Sequence, residues 1–241
     1  MPPPIRLSDQ TPPSRPLPAH HQPGSWGDRR RVRIGLLGGS FNPAHEGHRH
    51  VAERALHALR LDEVWLLVSP GNPLKPRAGM APFAERLESA RRISDGRRII
   101  ATDIEARLGL RETERTLSRL RRRFPRARFV WIMGADNLSQ LPRWRRWRRL
   151  ARRNPIAVLP RPGWTRRALH GATASVLRHH RRPCGALLSG ASDIHARWCM
   201  IPAREHPASA TAIRARMAQR ATAGGEPHSP FILPAAPAKV R

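Results

Sequence analysis

The sequence predicts an α/β protein whose open, parallel β-sheet carries helices on both faces. Short apolar runs alternate along the chain with longer segments in which apolar residues recur at helical spacing. Strands and helices in this alternation are joined by right-handed crossovers, which make neighbouring strands parallel. The 241 residues are enough to bury a sizeable core around one such sheet.

Five strands and three helices are predicted in the middle of the chain. The strands are residues 32–37, 64–68, 98–102, 129–133 and 156–159, and the helices are residues 45–59, 83–93 and 113–124. In the first helix, Val51, Ala55 and Leu59 share one apolar face. Pro70 and Gly71 stop the second strand. A sheet of this kind binds its ligand at the carboxyl ends of its strands, near a topological switch point.

The two ends of the chain differ in composition from the middle. Residues 1–30 are rich in Pro, His, Ser and Arg and have no periodicity, which predicts a disordered tail. Residues 222–241 predict a short irregular tail. Residues 31–221 are therefore expected to form one domain.

The charge of the chain is strongly positive, with a formal net charge of +28 and a pI of about 12. Such a charge suggests a nucleic-acid partner or an acidic surface. However, Lys75 and Lys239 are the only lysines, so that 43 of the 45 basic residues are arginine, and tyrosine is absent. Biased codon usage explains this skew as easily as selection for a polyanion, and nucleic acid is not the favoured partner.

Cysteine content and hydropathy indicate a cytoplasmic protein. Cys184 and Cys199 are the only cysteines, and they form neither a disulfide framework nor a metal-ligand pattern. The N-terminus lacks the apolar stretch of a signal peptide. The chain has no run of about 18 apolar residues that would span a membrane. The oligomeric state is left open, and a homo-oligomer is allowed.

The most informative segment is residues 38–48, GGSFNPAHEGH, which lies between the first predicted strand and the first helix. Gly38 and Gly39 allow a sharp turn and the close approach of a ligand. The helix N-terminus offers unpaired N–H groups that suit a phosphate. His45 and His48 lie three positions apart and face the same spot. Two imidazoles there can neutralise charge that develops on a phosphoryl group.

Two other interpretations of these histidines are weaker. A helix-capping turn with incidental histidines does not account for two glycines, a proline and two histidines at one strand end. A zinc site is disfavoured because His45, His48 and His50 lack a matching carboxylate or cysteine partner.

The segment GGSFNPAHEGH resembles the GGxFxPxHxGH signature of the HxGH-motif nucleotidyltransferases. That superfamily is Rossmann-like and includes adenylyl- and cytidylyltransferases. Further matches between residues 32 and 217 resemble the bacterial nicotinate-nucleotide adenylyltransferases. They include GADN at 134–137, RPG at 161–163 and SATAIR at 209–214.

The resemblance implies an ATP site built from the two ends of the domain. The hydroxyls of Ser209 and Thr211 would cap a helix and bind phosphate, and Arg214 would reach the triphosphate. Lys75 matches the basic residue of a proline-flanked loop, near the phosphates. The catalytic residues implied are His45, His48, Lys75 and Arg214. The ATP-binding residues implied are Gly38, Gly39, Ser40, Phe41, His45, His48, Ser209, Thr211 and Arg214.

The resemblance also implies a pyridine-nucleotide site, formed by Thr113, Thr116, Asp136, Trp144 and Arg161. Trp144 would stack on the pyridine ring, and Asp136 would bind ribose or substrate. Trp147, in contrast, is expected in the core. Four residues depart from the family pattern and affect the details of ligand contact: Leu74, Glu112, Arg145 and Ala208.

The implied reaction is an in-line attack of the nicotinate mononucleotide phosphate on the α-phosphorus of ATP, with Mg²⁺ on the phosphates and no protein metal site. Three alternatives stay open. One is a sister adenylyltransferase that uses nicotinamide mononucleotide or phosphopantetheine. The second is a basic nucleic-acid binder built on an Arg-rich helix at 143–153, and the third is a fold that has lost its activity.

Overall fold

Six parallel strands form one sheet in this computed structural model, which describes residues 22–71, 78–189 and 196–222. The strand order is β3-β2-β1-β4-β5-β6, and every neighbouring pair is parallel. The strands are β1 (Arg33–Gly39), β2 (Glu63–Val68), β3 (Ile99–Thr102), β4 (Arg128–Gly134), β5 (Pro155–Leu159) and β6 (Arg197–Met200). The order reverses at β1, between β2 and β4, so the topological switch point lies there. The predicted open parallel α/β sheet is confirmed.

Helices cover both faces of this sheet. In the described ranges they are α1 (Glu46–Ala58), α2 (Phe83–Arg92), α3 (Ile104–Arg107), α4 (Thr113–Arg123), α5 (Ala135–Gln140), α6 (Trp147–Arg153), α7 (Thr165–Leu169), α8 (Ala172–Val176) and α9 (Ala210–Thr222). Short 3₁₀ turns occupy Leu141–Arg143, Arg178–His180 and Cys184–Ala186. None of the helices in these ranges combines the length and the apolar character that a membrane crossing requires.

Sequence patterns located five strands and three helices to within one or two residues but missed β6 and several short helices. The three predicted helices correspond to α1, α2 and α4, and the five predicted strands to β1–β5. The strand β6 was missed because its apolar run, Trp198–Met200, is only three residues long and lacks the β-branched residues that mark the other strands. The helices α3, α5, α7 and α8 have only four to six residues each, too few for a helical period to be recognised.

The core consists of two apolar layers, one on each face of the sheet. In β2, Trp65 and Leu67 point into the layer that α4 covers, whereas Val64 and Leu66 point into the layer of α1 and α2. All six residues of β2 are buried, as expected for a strand with helices on both sides. In the first layer the Trp65 and Phe124 rings meet edge to face, with centroids 5.3 Å apart.

The described part of the N-terminal segment is attached to the domain. Gln22 Nε2 donates to Ala101 O at 3.0 Å, and Arg107 Nη2 donates to Pro23 O at 2.8 Å. Arg30 forms an ion pair with Glu63 at the start of β2. Of the tail predicted for residues 1–30, residues 22–30 therefore contact the sheet edge and α3. Residues 1–21, and residues 223–241 of the other predicted tail, lie outside the described residues.

Phe124→Ala should lower the free energy of unfolding by about 3–5 kcal/mol, because it removes a fully buried ring from between Trp65 and Phe129. Chemical denaturation of the two proteins measures this difference. Val176→Ala, at a side chain that is 56% exposed, is the control and should change stability by less than about 0.5 kcal/mol. Equal effects of the two substitutions would contradict the core described above.

Candidate active site

The carboxyl ends of β1, β2 and β4 bring three loops together at the switch point. Residues 40–45 follow β1, Ser69 follows β2, and Asp136 lies in the first turn after β4. The first two are joined directly, because Ser69 N donates to Gly39 O at 2.9 Å. The sheet topology predicts a ligand at this edge, and the motifs that carry the family resemblance lie at the same edge.

The turn after β1 is held tightly from both sides. A Cβ atom at Gly38 would overlap with the Trp131 ring of β4, so only glycine fits there. Asn42 Nδ2 donates to Gly79 O at 2.8 Å, and its Oδ1 accepts from Ala81 N at 3.1 Å. Phe41 has a positive φ of 48° and is 1% exposed. Its ring therefore supports the turn from inside the protein and offers little surface to a ligand.

His45 and His48 lie together at the start of α1. His45 is the N-cap, and its Nδ1 accepts from Gly47 N at 3.1 Å. His48 Nδ1 accepts from His45 N at 3.2 Å, and the two rings are 3.9 Å apart. Because each Nδ1 accepts a backbone hydrogen bond, the neutral imidazoles carry their hydrogen on Nε2. Both side chains are thus prepared as Nε2–H donors.

Burial keeps His45 neutral. Desolvation, together with the nearby positive charges of Arg161 and His206, lowers the pKa of His45 to about 4. At neutral pH this side chain therefore donates a hydrogen bond without carrying a charge. Arg161 and Arg214 supply positive charge around the turn.

The C-terminal motif meets this turn. Arg214 Nη1 donates to Asn42 O at 2.6 Å, although the two residues are 172 positions apart in the sequence. Ser209 Oγ accepts from Ala212 N at 3.1 Å and so caps the first turn of α9. Ala208 O lies 3.2 Å from the position that a Cβ of Gly47 would take. The N-termini of α1 and α9 thus border one site.

Thr211 supports Arg214 in this arrangement. Arg214 Nη2 donates to Thr211 Oγ1 at 3.4 Å, within one turn of α9. The guanidinium therefore bridges the two motifs while its remaining N–H groups are available for an anion.

A cavity of about 430 Å³ opens beside the turn. Of the residues assigned to ATP, Gly38, Gly39 and Ser40 line it, and of those assigned to the pyridine nucleotide, Thr113 and Trp144 do. The other lining residues are Ser69, Glu105, Arg111, Glu112, Trp131, Asn137, Arg143 and Arg145. The Trp144 ring meets the Trp131 ring edge to face, with centroids 6.2 Å apart.

The other three residues assigned to the pyridine nucleotide do not line this cavity. Thr116 is fully buried, and its Oγ1 donates to Glu105 Oε1 at 2.7 Å. Asp136 faces Arg161, with Oδ1 3.6 Å from Nε. Arg161 acts electrostatically on His45 and therefore lies towards the histidine side of the site. Trp147 packs against the core, as expected.

Sequence reasoning missed Glu105. This carboxyl follows β3 and lines the cavity although it is only 7% exposed. Burial raises its pKa to about 7, while the hydrogen bond from Thr116 opposes the rise. Its position just after a predicted strand, at the edge where ligands bind, was the signal that could have identified it.

Two of the departures from the family pattern contact each other. Arg145 Nη1 donates to Glu112 Oε1 at 2.8 Å, across the rim of the cavity. The pair links the residue before Thr113 to the residue after Trp144. Ala208 contributes its backbone carbonyl next to Gly47. Leu74 and Lys75 lie outside the described residues.

Comparison with known proteins shows the family to which the chain belongs. Residues 36–216 match the family described as cytidylyltransferase-like. The protein named “Probable nicotinate-nucleotide adenylyltransferase” of Gluconobacter oxydans is 63% identical over 183 residues, which cover 76% of this chain and 94% of that protein. The protein of the same name from Gluconacetobacter diazotrophicus is 55% identical over 191 residues, which cover 79% and 89%.

Among solved structures, the fold is similar to that of Plasmodium falciparum nicotinic acid mononucleotide adenylyltransferase complexed with NaAD. The TM-score is 0.59 at 17% sequence identity, and the match covers 77% of this chain and 84% of that one. This likeness supports the fold, and the sequence relatives carry the assignment. The chain belongs to the cytidylyltransferase-like nucleotidyltransferases and, among these enzymes, to the nicotinate-nucleotide adenylyltransferase family.

Proposed function

We propose that this enzyme transfers the adenylyl group of ATP to nicotinate mononucleotide, which yields nicotinate adenine dinucleotide and pyrophosphate for NAD biosynthesis. The observation that carries the proposal is the meeting of His45, His48 and Arg214 at one turn, beside a cavity lined by Thr113 and Trp144. The names of the relatives with 63% and 55% identity support the same reaction.

The triphosphate of ATP is assigned to the space between the N-termini of α1 and α9. Both helices there direct N–H groups and a positive dipole end at an anion. His45 and His48 donate from Nε2, and the Arg214 guanidinium adds a fixed positive charge. These groups act on charge that grows on the α-phosphoryl oxygens and on the leaving pyrophosphate.

The acceptor is assigned to the cavity. Trp144 offers a large aromatic face to the electron-poor pyridine ring, and the start of α4 at Thr113 offers backbone N–H groups to its carboxylate. The acceptor phosphate is already an anion at neutral pH. The reaction then needs alignment with the α-phosphorus and no protein base.

Mg²⁺ is proposed to enter with ATP as part of the substrate. In the described ranges no three His, Cys, Asp or Glu side chains come together in a group that could hold a metal ion. The ion is therefore assigned to the triphosphate oxygens, where it neutralises part of their charge. A cytoplasmic location stays a prediction, and the oligomeric state stays open.

The rim of the cavity favours a carboxylate on the pyridine ring over an uncharged amide. Arg111, Arg143 and Arg145 line it, and among the described residues only Arg145 of these three forms an ion pair, with Glu112. This supports the acid mononucleotide over its amide. A pyrophosphate-release assay with ATP and magnesium, run in parallel with nicotinate mononucleotide, its amide and phosphopantetheine, tests the proposal. A clear preference for either of the other acceptors would refute it.

His45→Asn should lower kcat about 100-fold, because loss of one such donor costs about 3 kcal/mol in the barrier. Asparagine is itself a good N-cap, so α1 should keep its start. Steady-state pyrophosphate release measures the effect. His57→Asn, at an exposed position near the end of the same helix, is the control and should leave kcat unchanged. Near-normal turnover of His45→Asn would show that this donor is dispensable.

Trp144→Ala should raise KM for nicotinate mononucleotide about tenfold and leave KM for ATP nearly unchanged, because ring stacking and burial are lost only on the acceptor side. Trp164→Ala is the matched control, since Trp164 is 36% exposed and does not line the cavity. If both KM values rose together, the separate assignment of the two halves of the site would be wrong.

The stability of the protein should depend on His45 between pH 7 and pH 4.5. The pKa of His45 is about 4 in the folded protein and about 6.5 in the unfolded chain, so only the unfolded chain takes up the proton in this window. This difference favours folding above pH 6.5 and is lost as the pH falls.

The loss should amount to about 2 kcal/mol after allowance for solvent screening. Denaturant unfolding of the parent protein and of His45→Asn at both pH values isolates this contribution, since other titrating groups cancel. An identical pH dependence of the two proteins would mean that His45 titrates normally in the folded state.

A further inference from the structure

A buried arginine joins the loops that follow β1 and β2. Arg86 of α2 is only 3% exposed. Its Nη1 donates to Ser40 O at 2.7 Å and to Ser69 O at 2.8 Å, and its Nε donates to Ala81 O at 3.1 Å. One side chain thus fixes the ends of two neighbouring strands at the switch point.

The charge of Arg86 has no carboxylate partner in the described part of the chain. No acidic group there lies within ion-pair distance of its guanidinium, and burial lowers its pKa. Carbonyl oxygens accept its hydrogen bonds but do not cancel its charge, and a buried unpaired charge is costly. The Phe83 ring, 5.4 Å away, offsets only a small part of this cost. An anion bound to the same loops would offset much more.

The orientation of the peptide group between Ser40 and Phe41 also favours a bound anion. When Ser40 O turns towards Arg86, the N–H on the other side of that planar trans peptide, which belongs to Phe41, turns away from it. The negative end of the carbonyl dipole thereby points away from an anion bound on the opposite side of the turn. Ser89, three positions further along α2, holds the same turn independently, because its Oγ accepts from Ala44 N at 2.8 Å.

We propose that Arg86 is a positioning residue for the nucleotide triphosphate. It aligns the two loops that face the triphosphate and supplies a fixed positive charge beneath them. Because Ser89 and Asn42 also shape the turn, the charge is the part of this role that Arg86 alone provides. The inference rests on the proposed function only in taking ATP as the ligand.

The test compares Arg86→Met and Arg86→Lys with the parent protein. Arg86→Met should raise KM for ATP at least about tenfold, which corresponds to the loss of one charge-assisted contact, and should leave KM for the acceptor within about twofold. It should also reduce the rise in Tm that MgATP causes. Arg86→Lys keeps the positive charge but loses the forked set of guanidinium donors, so it should recover part of the ATP affinity.

Arg98→Met is the matched control. Arg98 also donates to backbone carbonyls, to Leu61 O at 2.7 Å and Asp62 O at 3.3 Å, but it lies before β3, at the opposite end of the sheet. Its replacement should lower Tm and leave the MgATP-induced rise unchanged. If Arg86→Met fails to fold, Arg86→Gln, which keeps hydrogen-bond donors but loses the charge, carries the test, with a raised KM for ATP at near-normal Tm as the expected result.

The inference is overturned if the Arg86 variants bind ATP as tightly as the parent does, or if their ATP affinity falls by no more than that of Arg98→Met. A failure of the proposed function gives a different result. In that case the parent protein binds MgATP, as seen in its Tm, and yet releases no pyrophosphate with nicotinate mononucleotide. The effect of Arg86→Met on MgATP binding can then still be measured.

Discussion

The backbone turn between β1 and α1 is the constraint on which the rest of the site depends. It ends at His45 and sets the start of α1, which carries His48. Three distant parts of the chain hold it in place: the loop before α2 bonds to Asn42, Ser89 bonds from α2, and Arg214 bonds from α9. Glycine is required at position 38 because the Trp131 ring occupies the space of a side chain. Since Trp131 also lines the cavity, the turn and the cavity have a fixed relation to each other.

Hydrogen-bond donors at the site differ in charge, because His45 is neutral and the arginines are positively charged. His45 is kept neutral by burial and by nearby positive charge, and Glu105, with a pKa of about 7, carries only part of a negative charge at neutral pH. Positive charge comes from arginines, which stay ionised when they are buried. The arginines therefore attract anions, and the carboxylates of Glu112 and Asp136 near them are each held in an ion pair with an arginine.

Part of the basic surface is neutralised within the protein. Glu114 of α4 contacts Arg149 of α6 at 2.9 Å, and Glu112, just before α4, contacts Arg145, just before α6, at 2.8 Å. The Glu112–Arg145 pair also has a local consequence, because both of its members depart from the family pattern and they face each other across the cavity rim. An ion pair there joins the start of α4 to the turn that carries Trp144, so two departures that look independent in the sequence form one contact.

The sequence by itself determined the α/β sheet, its strands β1–β5, the helices α1, α2 and α4, and the glycine turn with His45 and His48. Each of these depends on patterns within about ten residues, such as apolar periodicity, adjacent glycines and histidine spacing. Only the tertiary structure decided the short strand β6, the engagement of Thr116 with Glu105 and the burial of Arg86 beneath the turn. Arg86 illustrates the physical reason. Its partners Ser40 and Ser69 lie 46 and 17 positions away, and an arginine on an amphipathic helix is usually exposed, so its role appears only when two strand ends meet above it.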